Sequence, residues 1–296
     1  MIPEFPEFKK LKLSHRSDVE KITSQFHHYS DFNFVSMWSW NIHNKVKLSK
    51  LNGNLVVIFT DYVSGEQFLS FMGNQEIVDT TAKLISFSKK YLKNNYLKLI
   101  PEELLLKYKG SEFVAEIQRD TSDYIYLVED LVGMHEWVQN DHARRIRKFI
   151  NLYPNYTTKH SSVNQISKRD LKKMFKKWSE NKNLKDNNEY LAFRRFLKLK
   201  DDNIIYISIY LNKNMIGFSA YEVLSDGYAI AHFSKGDTKI YPEVFDVLNW
   251  EEAKFFHKQG VKYLNWEQDL GIPGLRYSKE RYRPYFLMRK LIVSGR

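Results

Sequence analysis

The sequence predicts an α/β (α+β) fold: two copies of one unit, each a mixed sheet covered by helices, with a basic helical segment between them. Three observations predict it. Strand-like runs meet at tight-turn signals in both halves. Each half follows the order three strands, helix, strand, helix, strand. The stretch between them carries helical apolar stripes and the chain's excess positive charge. The expected division is 1–130 for the first module and 131–296 for the basic segment plus the second module.

In the first copy, KVKLSKL (45–51) and LVVIFT (55–60) are joined by Asn52-Gly53-Asn54, residues suited to a hairpin turn with positive φ. QFLSFM (67–72) predicts a third strand. Ile77, Leu84, Ile85, Phe87 and Tyr91 then fall near one face of a helix. A short strand at 96–99 precedes a helix opened by Pro101 in PEELLLKY, where proline's fixed φ fits and no donor is needed. Strands near 113–118 and 124–128 close the copy.

In the second copy, IIYISIY (204–210) and MIGFSAYEV (215–223) flank an Asn-Lys-Asn turn, and Asp226-Gly227 leads into YAIAHF (228–233). A helix from about Pro242 to His257, a strand VKYLNW (261–266), a short helix around Leu275–Tyr282 and a strand YFLMRKLIV (285–293) follow. Three helices are expected between the copies. HEWVQNDHARRIRKFI spaces Trp137, Ile146 and Phe149 for burial. DLKKMFKKWSE places Leu171, Met174, Phe175 and Trp178 on one stripe, with Asp170 as its cap. NNEYLAFRRFLKL is the third.

The formal net charge of +11 is concentrated: residues 131–200 hold 17 Lys/Arg against 6 Asp/Glu, and the flanks are nearly balanced. Such a surface attracts nucleic acid, an anionic membrane or a phosphorylated ligand; its alternative is a solvated helix face. With no cysteine there is no disulfide, thiolate nucleophile or Cys-ligated zinc. The N-terminus does not read as a signal peptide, and no run approaches the roughly 18 apolar residues of a membrane span. The expectation is a cytoplasmic protein, or one peripheral at the inner membrane surface. The histidines show no metal-ligand spacing beyond His27-His28.

The segment YLNWEQDLGIPGLRYSKERYRPYFLMRK (263–290) resembles the C-terminal catalytic domain of the phosphatidylglycerol lysyltransferases. The family pattern is roughly N-x-E-x-D-x-G-x-x-G-L-R-x-x-K-x-x-Y-x-P. This chain supplies Asn265, Glu267, Asp269, Gly271, Gly274, Leu275, Arg276, Lys279, Tyr282 and Pro284. HFSKGD (232–237) is similar to the family's His-x-x-Lys segment, and SDFNFVSMWSWN (30–41) and the RRIRKF helix are similar too. The resemblance implies two tandem GNAT-type acyltransferase modules. It also implies transfer of an aminoacyl group from aminoacyl-tRNA to a phosphatidylglycerol-like lipid or another small acceptor, without a resident cofactor.

Such a transfer needs a positioned, deprotonated acceptor, donors for an oxyanion, carboxylates for the donor's ammonium and positive charge for a tRNA end. Glu267 and Asp269, two apart, share a face if the chain stays extended; the alternative is a salt bridge to Arg276 or Lys279. Gly271 and Gly274 read as a turn feeding a helix whose N–H groups meet a phosphate, or as a simple loop. Arg276 and Lys279 share a helix face and suit a phosphate, and Arg283 extends the positive surface or is merely solvated. His232 is a candidate base or a structural histidine, and Lys235 a substrate contact near the strand end. Tyr282 is a candidate proton donor, and Asn265 joins the substrate-binding set through the motif. Arg144, Arg145, Arg147, Lys148, Lys172, Lys173, Lys176 and Lys177 form the candidate nucleic-acid surface. An acyl-CoA co-substrate is the alternative donor, although KGDTKIYPEVFD (235–246) lacks the Q/R-x-x-G-x-G/A loop that holds its pyrophosphate. A non-catalytic RNA- or membrane-binding module is the third reading.

Overall fold

The computed structural model describes residues 1–62, 64–136, 141–183 and 188–296, which form two compact units. The first comprises 1–123, 268–278 and 287–296; the second comprises 124–267 and 279–286. These differ from the contiguous spans 1–130 and 131–296, chiefly because the last strand joins the first unit.

In the first unit, β1 (Lys9–Lys10), α1 (Arg16–Thr23) and α2 (Phe34–Trp40) precede a hairpin of β2 (Lys47–Leu51) and β3 (Asn54–Thr60). Asn52 and Gly53 make the turn with φ of 53° and 78°, as the pair predicts. β4 (Gln67–Met72) lies antiparallel to β3, and α3 (Ile77–Tyr91) returns the chain to β5 (Tyr96–Pro101), parallel to β4. β3 is buried on both faces, which accounts for its continuous apolar run. Val56 and Ile58 share a core with Leu84, Ile85, Leu97, Leu291 and Val293, while Phe59 meets Phe32 edge-on at 5.6 Å. Tyr91 lies outside this core, 58% exposed. Pro101 ends β5, and the expected helix is a 3-10 turn, Glu102–Tyr108. The two strands predicted near 113–118 and 124–128 are one, β6 (Phe113–Leu127). The C-terminal strand Phe286–Gly295 runs antiparallel to β5. Burying a side chain such as its Leu291 or Val293 contributes about 1.5–3 kcal/mol, so this strand is a structural part of the first unit.

The second unit contains α4 (Val128–Gly133), α5 (Asp141–Leu152), β7 (Thr157–Ser162), α6 (Lys168–Asn181), α7 (Asn188–Phe196), β8 (Ile204–Leu211), β9 (Asn214–Val223), β10 (Tyr228–Gly236), α8 (Val244–Lys258) and β11 (Tyr263–Asn265). β7, β8, β9 and β10 form an antiparallel ladder. β11 is parallel to β10 and antiparallel to the end of β6. Helices cover both faces: Tyr221 of β9 packs on Phe256 of α8 at 4.8 Å, and Phe218 of β9 stacks on Phe193 of α7 at 5.6 Å. Phe193 in turn stacks on Phe175 of α6 at 4.9 Å.

The basic segment is not wholly helical, because β7 lies within it. TTKHSS has no apolar alternation to announce a strand, and as an edge strand it needs none. Leu171, Met174 and Phe175 are buried as their stripe predicts, with Trp178 half-buried. The cap of α6 is Ser167, whose hydroxyl accepts the Asp170 N–H at 3.3 Å; Asp170 is already inside the helix. Trp137 and the start of the third predicted helix, Asn187, lie outside the described residues. α9 (Pro273–Glu280) begins in the first unit and ends in the second. Among the described residues no helix is long and apolar enough to cross a membrane.

Candidate functional site

β10 and β11 pair in parallel only from Tyr228–Tyr263 to Ile230–Asn265. There β11 ends, while β10 continues to Gly236 through a bulge between Ala231 and Phe233. Ligands of open sheets bind where neighbouring strands part at their carboxyl ends. His232 sits in the bulge, and Glu267 lies two residues beyond β11.

The backbone at Glu267 is held in the left-handed region (φ 56°). Its N–H donates to Asn265 Oδ1 at 2.7 Å, and Lys279 Nζ donates to the carbonyls of Trp266 and Glu267 at 2.5 and 3.0 Å. A strained residue persists only where its surroundings over-determine it, and these three bonds do so. Glu267 Oε1 lies 3.9 Å from His232 Nδ1, and His232 Nε2 lies 3.7 Å from Glu222 Oε2 on β9. The His232 and Glu222 side chains are each 2% exposed, against 21% for Glu267. The row therefore leads from the interior to a carboxylate that solvent reaches. Its spacings exceed hydrogen-bond length and suit a bridging water or tightening around a ligand.

The other residues expected beside this row have different work. Lys235 Nζ lies 2.6 Å from Glu189 and 4.0 Å from the Trp178 ring centroid, so a buried cation is held by a carboxylate and an aromatic face. Tyr282 is buried; its hydroxyl donates to Asp246 at 3.1 Å and its ring stacks on His142 at 3.9 Å. Burial first, then the Asp246 charge, raises its pKa well above the ordinary tyrosine value, which disfavours it as a proton donor to a leaving group.

At the start of α8, Glu243 and Asp246 are buried and paired with Lys148 (2.6 Å), Arg145 (2.6 Å) and His142 (2.5 Å). Burial works to raise the Asp246 pKa, but the bonds from His142 and Arg145 outweigh it and hold the carboxyl below its ordinary value. Carboxylates at this helix end disfavour the pyrophosphate that a CoA-type site would place there.

Asp269 does not follow the alternation expected of an extended 263–269 segment. β11 stops at Asn265 and Glu267 is left-handed, so strand alternation does not reach residue 269. Within the first unit Asp269 is fully buried. It accepts from Arg276 Nε at 2.9 Å and Nη2 at 3.0 Å, from Arg119 at 3.2 Å and from the Gly271 N–H at 2.8 Å. The salt-bridge alternative therefore holds for this residue. Arg276 also reaches Asp120 at 2.5 Å; the two hydrogen-bonded carboxylates, Asp269 first, raise its pKa. Gly271 is required by geometry, since at φ 72° a Cβ would meet Asp120 Oδ2 at 2.8 Å. Its N–H serves Asp269, not an oxyanion. Gly274 opens onto unfilled space, and Arg283 is exposed with φ 53°.

Residues 23–293 match the family described as phosphatidylglycerol lysyltransferase, C-terminal. The chain belongs to this family. No curated protein matches its sequence. A crystal structure of a conserved protein of unknown function from Bacteroides thetaiotaomicron VPI-5482 is similar over 100% of both chains, with 22% identity and a TM-score of 0.82. L-PGS from Bacillus licheniformis is similar over 100% of this chain and 94% of its own, at 11% identity and TM-score 0.61. A tandem GNAT protein from the clavulanic acid biosynthesis pathway is similar over 97% of each chain, at 7% identity and TM-score 0.51. The fold is thus the mixed α/β, tandem GNAT-like arrangement.

Against the family motif, Asn265 and Lys279 set the backbone at Glu267, while Asp269, Gly271 and Arg276 lock the turn before α9. Arg119 and Asp120 escape sequence reading because each partners a residue about 150 positions away, and Glu222 because it meets His232 only through the pairing of β9 with β10. Of the basic residues, Arg145 and Lys148 are tied to α8, and Lys177 pairs with buried Asp237 at 2.5 Å. Arg144 pairs with Asp141 and Lys176 with Glu180, yet both stay largely exposed (78% and 79%). Arg147, Lys172 and Lys173 are exposed on the same two helices.

Proposed function

We propose that the chain is an aminoacyltransferase that moves an aminoacyl group from aminoacyl-tRNA to the hydroxyl of a phosphatidylglycerol-like lipid or another small acceptor. The observation that carries this reading is the row Glu222–His232–Glu267 at the fork of β10 and β11, in a chain of the lysyltransferase family. Glu267, at the open end, takes the acceptor's proton as its oxygen bonds to the ester carbonyl carbon. The bond from that carbon to the ribose oxygen then breaks, and the ribose oxygen recovers a proton. His232 and Glu222 are positioning residues that hold the carboxylate from behind. Exposed Arg144, Arg147, Lys172, Lys173 and Lys176 supply charge for the tRNA.

The test incubates the protein with labelled aminoacyl-tRNAs, with and without phosphatidylglycerol vesicles. The expected result is acceptor-dependent loss of label from tRNA and its appearance in lipid. Glu267→Gln should lower the rate on the order of 100-fold or more. Reversing Lys172, Lys173 and Lys176 to Glu should weaken tRNA binding and flatten its salt dependence. No deacylation from any tRNA, or micromolar binding of a CoA thioester instead, would overturn the assignment.

A further inference from the structure

The first unit contains a cavity of about 430 Å³ that the proposed reaction does not use. Its charged lining is Asp31, Asp61, Glu116 and Asp120 against Lys98 and Arg119. Lys98 is matched to Asp61 at 3.1 Å, Arg119 to Asp269 at 3.2 Å, and Asp120 in turn to Arg276 at 2.5 Å. Asp31, 4% exposed, stands at the wall with Gln268 beside it, donating at 3.3 Å. Behind it the buried carboxylates of Asp31 and Asp123 share a single buried ammonium, Lys290. Burial, followed by the nearby Asp123 charge, acts against ionisation of Asp31, and its pKa is raised despite Lys290. Glu116 is exposed, and among the described residues no cation pairs with it.

The apolar part of the lining joins the aromatic Phe59, Tyr62 and Phe68 to the aliphatic Leu99, Ile117, Leu270 and Ile292. The Lys98 ammonium already lies 5.4 Å from the Phe68 ring centroid, so this lining accommodates a cation against a π-face. The carboxylates that outnumber the lining's cations select against anions, and the aromatic rings offer a cation their π-faces.

From these features we infer that the cavity of the first unit binds a small organic cation bearing a primary ammonium or guanidinium group, which Asp31 and Glu116 recognise beside the aromatic lining. This inference does not depend on aminoacyl transfer at the β10–β11 fork.

The test is calorimetric titration of the full chain with 1,5-diaminopentane and agmatine, with 1,5-pentanediol and glutarate as neutral and anionic controls. Amide shifts at Gln118, Thr121 and Leu270 locate the binding. The cations should bind at least about tenfold more tightly than either control, and more weakly as salt rises. Glu116→Gln should weaken them about threefold, as expected for an exposed carboxylate, and leave the control titrations unchanged. Asp31→Asn should weaken them further. If that variant does not fold, Glu116→Gln and the salt series still decide the matter. Equal binding of cation and diol, indifference to Glu116→Gln, or shifts confined to residues elsewhere would overturn the inference. A transferase-inactive protein that still binds the cations would sink the proposed reaction and leave this site standing.

Discussion

Replacing Lys290 with methionine should destabilise the first unit strongly and in a pH-dependent way. Lys290 is fully buried; its ammonium contacts Asp31, Asp123 at 2.6 Å and Gln268 at 3.1 Å. Methionine keeps the length of the side chain and removes the charge, leaving two carboxylates in the interior without their cation. Breaking a buried pair in this way costs about 3–5 kcal/mol. With a urea m-value of about 3 kcal/mol/M, that is a fall in midpoint of about 1–1.7 M. The variant can recover part of the loss by protonating a carboxylate. Asp31 already has its pKa raised by burial, and removing Lys290 raises it further. A group whose folded pKa lies above its unfolded value contributes stability that is fully present below the unfolded pKa and is lost as pH rises through the folded pKa. The deficit relative to wild type should therefore shrink from pH 8 toward pH 5. Urea titrations at both values, together with hydrogen exchange on β5 and the C-terminal strand, measure it. A pH-independent loss below about 1 kcal/mol would refute the charge-compensation argument. Adding Asp123→Asn should restore part of the stability, because one ionised carboxylate is then gone.

Other perturbations follow the same geometry. Gly271→Ala should cost about 1–2 kcal/mol, since it strains φ and crowds Asp120; chemical denaturation reads it, and a neutral result would contradict the turn described. Burial raises Glu252 to about 7, so the stability linked to its neutral form is present below its unfolded pKa and fades as pH rises through 7. Glu252→Gln should flatten the pH profile of Tm between 5 and 9 and raise stability at pH 8 by on the order of 1–3 kcal/mol. His232→Ala should slow transfer without weakening tRNA binding in a filter assay, as fits a positioning role behind Glu267. A fragment of residues 1–130 should fail to give a cooperative unfolding transition, because Leu291 and Val293 are absent from its core.

Much of the local architecture is legible in the chain. The Asn-Gly turn, the doubly buried β3 and the stripe of α6 are written in neighbouring residues. What is not legible depends on distance along the chain. YFLMRKLIV reads as a strand, but nothing in its alternation says that its partner is β5, nearly two hundred residues earlier. Asp269 sits in the same motif as Glu267. Its burial follows from Arg119, about 150 residues away, and from a left-handed residue that no short pattern announces. β7 is hidden for another reason, because a polar edge strand carries almost no hydrophobic signal. At the site, the motif identifies Glu267 but not Glu222, which enters only through the pairing of β9 with β10.

The return of the C-terminal strand also bears on how the protein is made. During synthesis the edge of β5 must wait for residues 286–295 to leave the ribosome, whereas most of the second unit comes from one uninterrupted stretch, 124–267. The half begun first is thus finished last. A single cut or splice point cannot exchange one half for a foreign one, so recombination that preserves both must cross the gene at several places.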